Sequence, residues 1–342
     1  MYHQNRVKMM DVACLFRNSA YFSMERLFHT LMPHLNQECS VGVEVMPCRG
    51  GKPAALYRNL SFCRNLRGYR LFHITGDINY VACTLPGERT ILTVHDLGNL
   101  EAMEGSWKRP LLRRFWYQYP LAKVAAVTCV SETTRRLLLD AFPCDPAKVS
   151  VIYNPVDPGF SFEPKPFNRN RPRILFLGSK PNKNLPRVIQ ALRGISCHLR
   201  VIGVPGESGL RMLRENEIDY STASRLSDEE IIEEYRRCDL LCFPSTLEGF
   251  GLPIVEAQAI GRPVLTGNVS AMPETAGEGG ALLVDPFQVG SIRQGILDLI
   301  NQVSLREKLI AAGKANVKRF LPETIAGQYL ELYRETAARV KI

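Results

Sequence analysis

The feature that most constrains this 342-residue chain is a repeated alternation of short, continuously apolar segments with longer amphipathic ones. "DVACLF", "VEVMP", "LFHIT", "TILTVHDL", "AAVTCVS" and "VSVIYNP" make one run of apolar segments; "RILFLGS", "HLRVIGV", "DLLCFPS", "PVLTGNV" and "ALLVDP" make a second. Strands buried on both faces of a parallel sheet have this Val-, Ile- and Leu-rich composition. Helical patterns such as "MERLFHTLMPHL", "AALYRNLSFCRNL", "LPRVIQALRG" and "GLRMLRENE" lie between them and would supply the crossovers. The pattern predicts an α/β fold of two Rossmann-like, doubly wound domains facing a cleft, and the length suits two domains. Residues 157–172, "DPGFSFEPKPFNRNRP", lack periodicity and read as the connection between them. Helices are expected near 288–302 and 304–318, and from Pro322 to the end. Ligands of doubly wound sheets sit beyond the carboxyl ends of the strands, so the residues just after each strand are the ones to inspect.

Three strand ends stand out. The first is "PSTLEGFGLPIVEA", Pro244 to Ala257. Gly249 and Gly251 permit a tight turn and close approach of a ligand. Pro253 suits the first turn of the helix that follows, whose free N–H groups favour an anion. Glu256 lies among Ile254, Val255, Ala257 and Ile260, where a charge is costly unless it is paired. Sugar hydroxyls would pair it, and Glu248 could address the same ligand; a structural arginine partner for Glu256 and a solvated Glu248 are the alternative. The second is "RILFLGSKPNKNLPRVIQAL", where a strand ends at Gly178 and Lys183 precedes a helix, with Lys180 upstream. That arrangement suits a phosphate or diphosphate, although the P-loop motif and G-x-G-x-x-G are both absent. A solvated loop lysine is the alternative. The third is "TILTVHDLGNL", which puts His95 and Asp96 at a strand end. His95 could donate to a phosphate or hydroxyl, or move a proton, or be a plain structural histidine. Ser131 reads as an N-cap, and Ser227 with Glu230 as a capping box.

Composition narrows the partners. The chain is 45% hydrophobic and 23% charged, ordinary for a globular protein. No apolar run approaches a membrane span, and "MYHQNRVKMMDVACLF" lacks a signal-peptide pattern, so a cytoplasmic location is expected. The ten scattered cysteines read as reduced, small hydrophobes. Net charge is +9, which points to an anionic partner. The densest basic clusters are Lys108 to Trp116, "KRPLLRRFW", and Asn168 to Arg173. The first interleaves Leu111, Leu112, Phe115 and Trp116 with Arg113 and Arg114, as a helix resting on the anionic inner face of a membrane would; an ordinary solvated face is the alternative. A basic stripe with stacking aromatics is missing, so no nucleic-acid partner is expected.

The residues from Pro244 to Pro286 closely resemble the donor-binding region of the group 1 retaining glycosyltransferases of family four, with Glu248 and Glu256 as the E-x7-E signature. "LFLGSKPNKNL" is similar to that family's phosphate loop, with Lys183-Asn184 as its Lys-Asn pair; "LTVHDL", "CVSETTRRLL" and "VSVIYNPVDPGF" resemble further landmarks. The resemblance implies the GT-B architecture: residues 1–160 as an acceptor-side domain joined by the final helix, 323–342, and residues 161–322 as the nucleotide-sugar domain. Glu256 would hold the donor ribose and Glu248 the transferred sugar. Lys183 would bind the diphosphate with the backbone of Phe250, Gly251 and Leu252, beside Gly178 and Gly249. Leu226 would lie by the base, and His95 would reach the sugar from the first domain. Ser179 and Lys180 stand where the family often has Arg, and "RNSAYFSMERLF" replaces its first glycine-rich loop.

The function implied is a retaining hexosyltransferase acting from a nucleoside-diphosphate sugar, GDP-mannose in the first instance, onto a glycan or lipid-linked acceptor in surface-polysaccharide synthesis. The chain carries no D-x-D motif, so no metal or other cofactor is expected. Readings of other classes are a GT-B epimerase or phosphorylase and a non-catalytic donor-binding subunit.

Overall fold

The computed structural model describes residues 10–18, 23–50, 52–98 and 109–340. Lys108 of the first basic cluster, residues 19–22 of the segment after the first strand and residues 341–342 of the last helix lie outside these. The chain divides into two compact units, residues 1–155 with 322–342, and residues 156–321.

In the first unit, β1 (Met10–Phe16), β2 (Cys39–Val45), β3 (Leu71–Ile74), β4 (Thr90–Val94), β5 (Ala126–Cys129) and β6 (Val149–Val151) form one sheet in the order β2-β1-β3-β4-β5-β6. All pairings are parallel, with Val12 opposite Leu71 and Ile91 opposite Ala126. Every residue of β3, β4 and β5 is buried, which is why these strands read as unbroken apolar runs. The Pro322–Arg339 helix lies on this unit, its Ile325, Tyr329 and Tyr333 packing in one core with Phe28, Leu31 and Leu71.

That core contains a chain of buried polar groups. His73 meets the Tyr333 hydroxyl through Nδ1 and Thr93 Oγ1 through Nε2, both at 2.7 Å. Thr93 Oγ1 in turn lies 2.7 Å from Thr128 Oγ1. Burial pushes the His73 pKa down to about 3, so the ring is neutral.

Residues 109–123 are helical throughout, but the ladder widens to a π-helix over Arg113–Gln118. Pro120 follows, and its missing N–H removes one rung of a regular α-ladder.

In the second unit, β7 (Arg173–Leu177), β8 (His198–Ile202), β9 (Tyr220–Ala223), β10 (Leu240–Phe243), β11 (Val264–Gly267) and β12 (Leu282–Val284) form a parallel sheet in the order β12-β11-β10-β7-β8-β9. Read from β9, this is the doubly wound order 3-2-1-4-5-6, with its topological switch between β7 and β10. The apolar segments do not reveal β9, because it is a polar edge strand that is nowhere fully buried.

The segment read as a connection has no regular structure, yet it is fastened to the second unit. Glu163 N–H donates to Ile260 O, the Phe160 ring meets Tyr235 edge-on, and Lys165 pairs with the buried Asp239. The Ser131 cap and both bonds of the Ser227–Glu230 capping box are present.

Candidate functional site

The carboxyl ends of β7 and β10 flank the switch point of the second sheet. Gly178 directly follows β7, and its φ is 100°, a conformation L side chains avoid. A Cβ there would also come within 2.7 Å of Lys183 Cγ, so the glycine leaves room for the lysine stem to cross the backbone. The chain then runs through Pro181–Lys183 into Asn184, left-handed at φ 70°, and on into the Leu185–Leu192 helix.

Asn184 is buried and fully engaged. Its Nδ2 donates to Pro244 O at 3.0 Å and to Pro286 O at 2.6 Å, and its Oδ1 accepts from Arg187 at 2.9 Å. Those prolines follow β10 and β12, so one side chain ties three strand ends together. Asn182 adds a second tie: its Nδ2 donates to Leu247 O and its carbonyl accepts from Thr246 N–H, each at 2.8 Å.

These ties set Lys183 beside Glu248. Lys183 Nζ lies 2.6 Å from Glu248 Oε1 and 4.7 Å from the centroid of the Phe243 ring. The side chains are 19% and 14% exposed, enough for a ligand to reach the pair but little enough to limit solvent screening. Glu248 is held by Ser270, which accepts from its N–H at 3.1 Å and donates to its carbonyl at 2.7 Å. Gly249 is half-buried in the turn. The Phe250 carbonyl accepts from Thr275 Oγ1 at 2.6 Å, and Gly251, at φ 95°, caps the Leu252–Ile260 helix.

Glu256 lies on that helix, only 6% exposed. The Tyr235 hydroxyl donates to its Oε2 at 2.5 Å, and Arg262 Nε in turn donates to the Tyr235 carbonyl. Part of the cost of burying the charge is therefore met within the protein, by the Tyr235 hydroxyl.

Of the other expected residues, Ser179 and Lys180 are exposed in the loop after β7, and Leu226 is half-buried between β9 and the Asp228–Arg237 helix. His95 directly follows β4 and so belongs to the other unit. Its Nε2 lies 2.8 Å from Thr75 O; a carbonyl only accepts, so Nε2 carries the proton. Burial lowers its pKa, which favours the neutral ring. In that tautomer Nδ1 is left as an acceptor.

Chemically, the strand-end site offers a cation already neutralised by a carboxylate. An anion reaching Lys183 would displace Glu248 and free that acid to accept from neighbouring hydroxyls. The sequence marks Asn184 only as half of the Lys-Asn pair, and gives no signal for Asn182, Ser270 or Tyr235, which also build the site. Among the described residues, no cluster of three or more His, Cys, Asp or Glu is placed to hold a metal.

Two family models match, that for "Glycosyl transferases group 1" over residues 159–316 and that for "Glycosyltransferase Family 4" over residues 29–160. The MMP alpha-(1->4)-mannosyltransferase of Mycolicibacterium hassiacum is 28% identical over 68% of this chain and 61% of its own length. The O-antigen chain mannosyltransferase B of Escherichia coli is 32% identical over 47% of this chain and 45% of its own. The matches thus span less than two thirds of either relative. The Anabaena protein Alr3699/HepE, solved in complex with UDP-glucose, superposes with a TM-score of 0.72 at 16% identity, over 95% of this chain and all of that one. With two such models covering residues 29–316 between them and the fold shared with solved glycosyltransferases, this chain belongs to the group 1, family 4 glycosyltransferases of GT-B fold.

Proposed function

We propose that the chain is a retaining, metal-independent hexosyltransferase that takes its sugar from a nucleoside-diphosphate donor and passes it to a glycan or lipid-linked acceptor in surface-polysaccharide synthesis. The observation that carries this reading is the Lys183–Glu248 pair at the switch point of the second sheet. A diphosphate would take Lys183, and the sugar hydroxyls would take the released Glu248. Lys183 would then oppose the negative charge that builds on the leaving diphosphate. Glu256 would hold the ribose, with its orientation set by Tyr235. Leu226 and the backbone of Phe250 to Leu252 would complete the nucleotide contacts, and the neutral His95 would accept from a sugar hydroxyl.

The names of the two mannosyltransferase relatives support mannose as the sugar, with GDP-mannose as its donor. The UDP-glucose in the HepE complex supports a nucleotide sugar in general. Anionic-membrane docking through the 109–123 helix is supported by Leu111, Phe115 and Tyr119, four residues apart and 59%, 46% and 48% exposed, beside the exposed Arg114. Arg113 contributes little to that face, because its guanidinium donates to Ala141 O and lies over Phe142. No helix among the described residues is long and apolar enough to cross a membrane.

The test is transfer by the purified chain from GDP-mannose, UDP-glucose and ADP-glucose in EDTA. Mannose transfer with retained anomeric configuration is expected; no transfer from any donor without added divalent metal would contradict the metal-independent mechanism.

A further inference from the structure

We propose that the first unit carries a second anion site, a cavity that takes the phosphate of a phosphate ester whose organic part is apolar. The cavity, about 490 Å³, is lined by Arg64, Arg67 and Arg89 together with Phe72, Leu85 and Pro86. It opens at the amino end of the sheet: its residues directly precede or begin β3 and β4, whereas His95 and the expected acceptor face lie at the carboxyl ends. Arg89 and His95 are separated by the length of β4, about 20 Å of extended chain. The cavity is therefore distinct from the site argued above.

Its cations are positioned without being neutralised inside it. Arg67 donates to the carbonyls of Arg64 and Leu66 at 2.7 and 2.8 Å, at the carboxyl end of the Pro53–Asn65 helix. The Arg89 guanidinium lies over the Phe72 ring, 5.8 Å from its centroid, with the Tyr69 carbonyl at 3.5 Å. Among the described residues, no carboxylate lines the cavity. Two acids lie beside it: Glu44 accepts from the Tyr69 hydroxyl at 2.6 Å, and the exposed Glu88 pairs loosely with Arg89, 3.9 Å from its Nε. Three guanidiniums around one opening would bind phosphate oxygens through paired N–H groups. The apolar wall formed by Phe72, Leu85 and Pro86 gives an adjoining hydrocarbon a place to lie, which inorganic phosphate would not use. Two sources share this chemistry, a soluble phosphate ester and a lipid headgroup.

The experiment is calorimetric titration of the full chain, kept saturated with GDP to occupy the nucleotide site, against inorganic phosphate and against monomeric dihexanoyl phosphatidic acid. Sedimentation with vesicles of phosphatidic acid in phosphatidylcholine, against phosphatidylcholine alone, forms the second arm. One dihexanoyl phosphatidic acid per chain is expected, bound at least tenfold more tightly than inorganic phosphate. Arg64→Glu is expected to weaken it tenfold or more while leaving GDP affinity unchanged and lowering the melting temperature by no more than the few degrees that a reversed charge in the last helical turn costs; the Arg64 side chain is exposed, and among the described residues no hydrogen bond or ion pair is lost with it. Arg89→Gln should weaken it as well. Vesicle binding lost in Arg64→Glu would assign the site to a lipid headgroup; vesicle binding unchanged, with the soluble ester still lost, would assign it to a soluble ester. No binding of the short-chain ester, or binding equal in wild type and Arg64→Glu, would overturn the proposal.

Discussion

The two units share an architecture of six parallel strands, yet they spend their polar side chains differently. In the second unit, Asn182, Asn184, Ser270 and Thr275 reach the backbone of loops at the strand ends. They hold Glu248 and its neighbours, the residues proposed to face the donor. In the first unit, His73, Thr93, Thr128 and Tyr333 bond to one another inside the core, where they fasten the last helix of the chain to the sheet. A buried polar group must be partnered in either case. The difference is what the partnership fixes: the loops at the strand ends in one unit, a distant chain segment in the other.

The largest expected effect comes from breaking a tie in the second unit. Asn184→Ala removes three hydrogen bonds, leaves two proline carbonyls without that donor and puts a non-glycine residue without a helpful side chain at a positive φ. It should destabilise the protein by about 3 kcal/mol and weaken nucleotide binding. Denaturant melts checked against calorimetry would show this, and unchanged stability would remove Asn184 from the account.

A subtler contrast is in pH. The folded pKa of His73, about 3, lies below its unfolded value of 6.5. The unfolded chain therefore takes up the proton first. The first unit should lose stability as pH falls from 6.5 towards 3, with a slope approaching about 1.4 kcal/mol per pH unit. In the second unit, burial would raise the Glu234 carboxyl, but hydrogen bonds from Arg200 and Arg173 outweigh it and hold it below 4.5. Its contribution is present above 4.5 and is lost only as pH falls through the lowered value. Trp116 packs against the core of the first unit, so its fluorescence reports on unfolding there. His73→Gln should flatten that slope; a slope of equal size in the variant would show that other groups produce it.

The smallest effect should come from Tyr235→Phe, which deletes one hydroxyl bonded to Glu256 and leaves the ring against Phe160. A loss of about 1.5 kcal/mol in stability is expected, with a raised KM for the donor and a nearly unchanged kcat. A fall in kcat alone would contradict a positioning role for Tyr235.

This contrast also decides what was readable beforehand. Strands buried on both faces, such as Thr90–Val94 and Leu240–Phe243, announce themselves through composition. The edge strand Tyr220–Ala223 does not, because its half-solvated residues need not be apolar. Gly178, Lys183, Glu248 and Gly251 were legible because glycines and charges at strand ends carry a local signal. Their supporting contacts were not: Asn184, marked only as the neighbour of Lys183 in a motif, reaches Pro286 across 102 residues, and Tyr235 reaches Glu256 across 21. Nothing near either residue in sequence encodes such a contact. The same holds for His73, whose partner Tyr333 is 260 residues away.

The central claim is that Lys183 binds the diphosphate of a nucleotide donor after releasing Glu248, and calorimetric titration of GDP and UDP tests it most directly. The account predicts that Lys183→Ala weakens nucleoside-diphosphate binding about a hundredfold, while Glu248→Gln, which removes the competing carboxylate, binds the same nucleotide at least as tightly as wild type. Wild-type affinity in Lys183→Ala would contradict it.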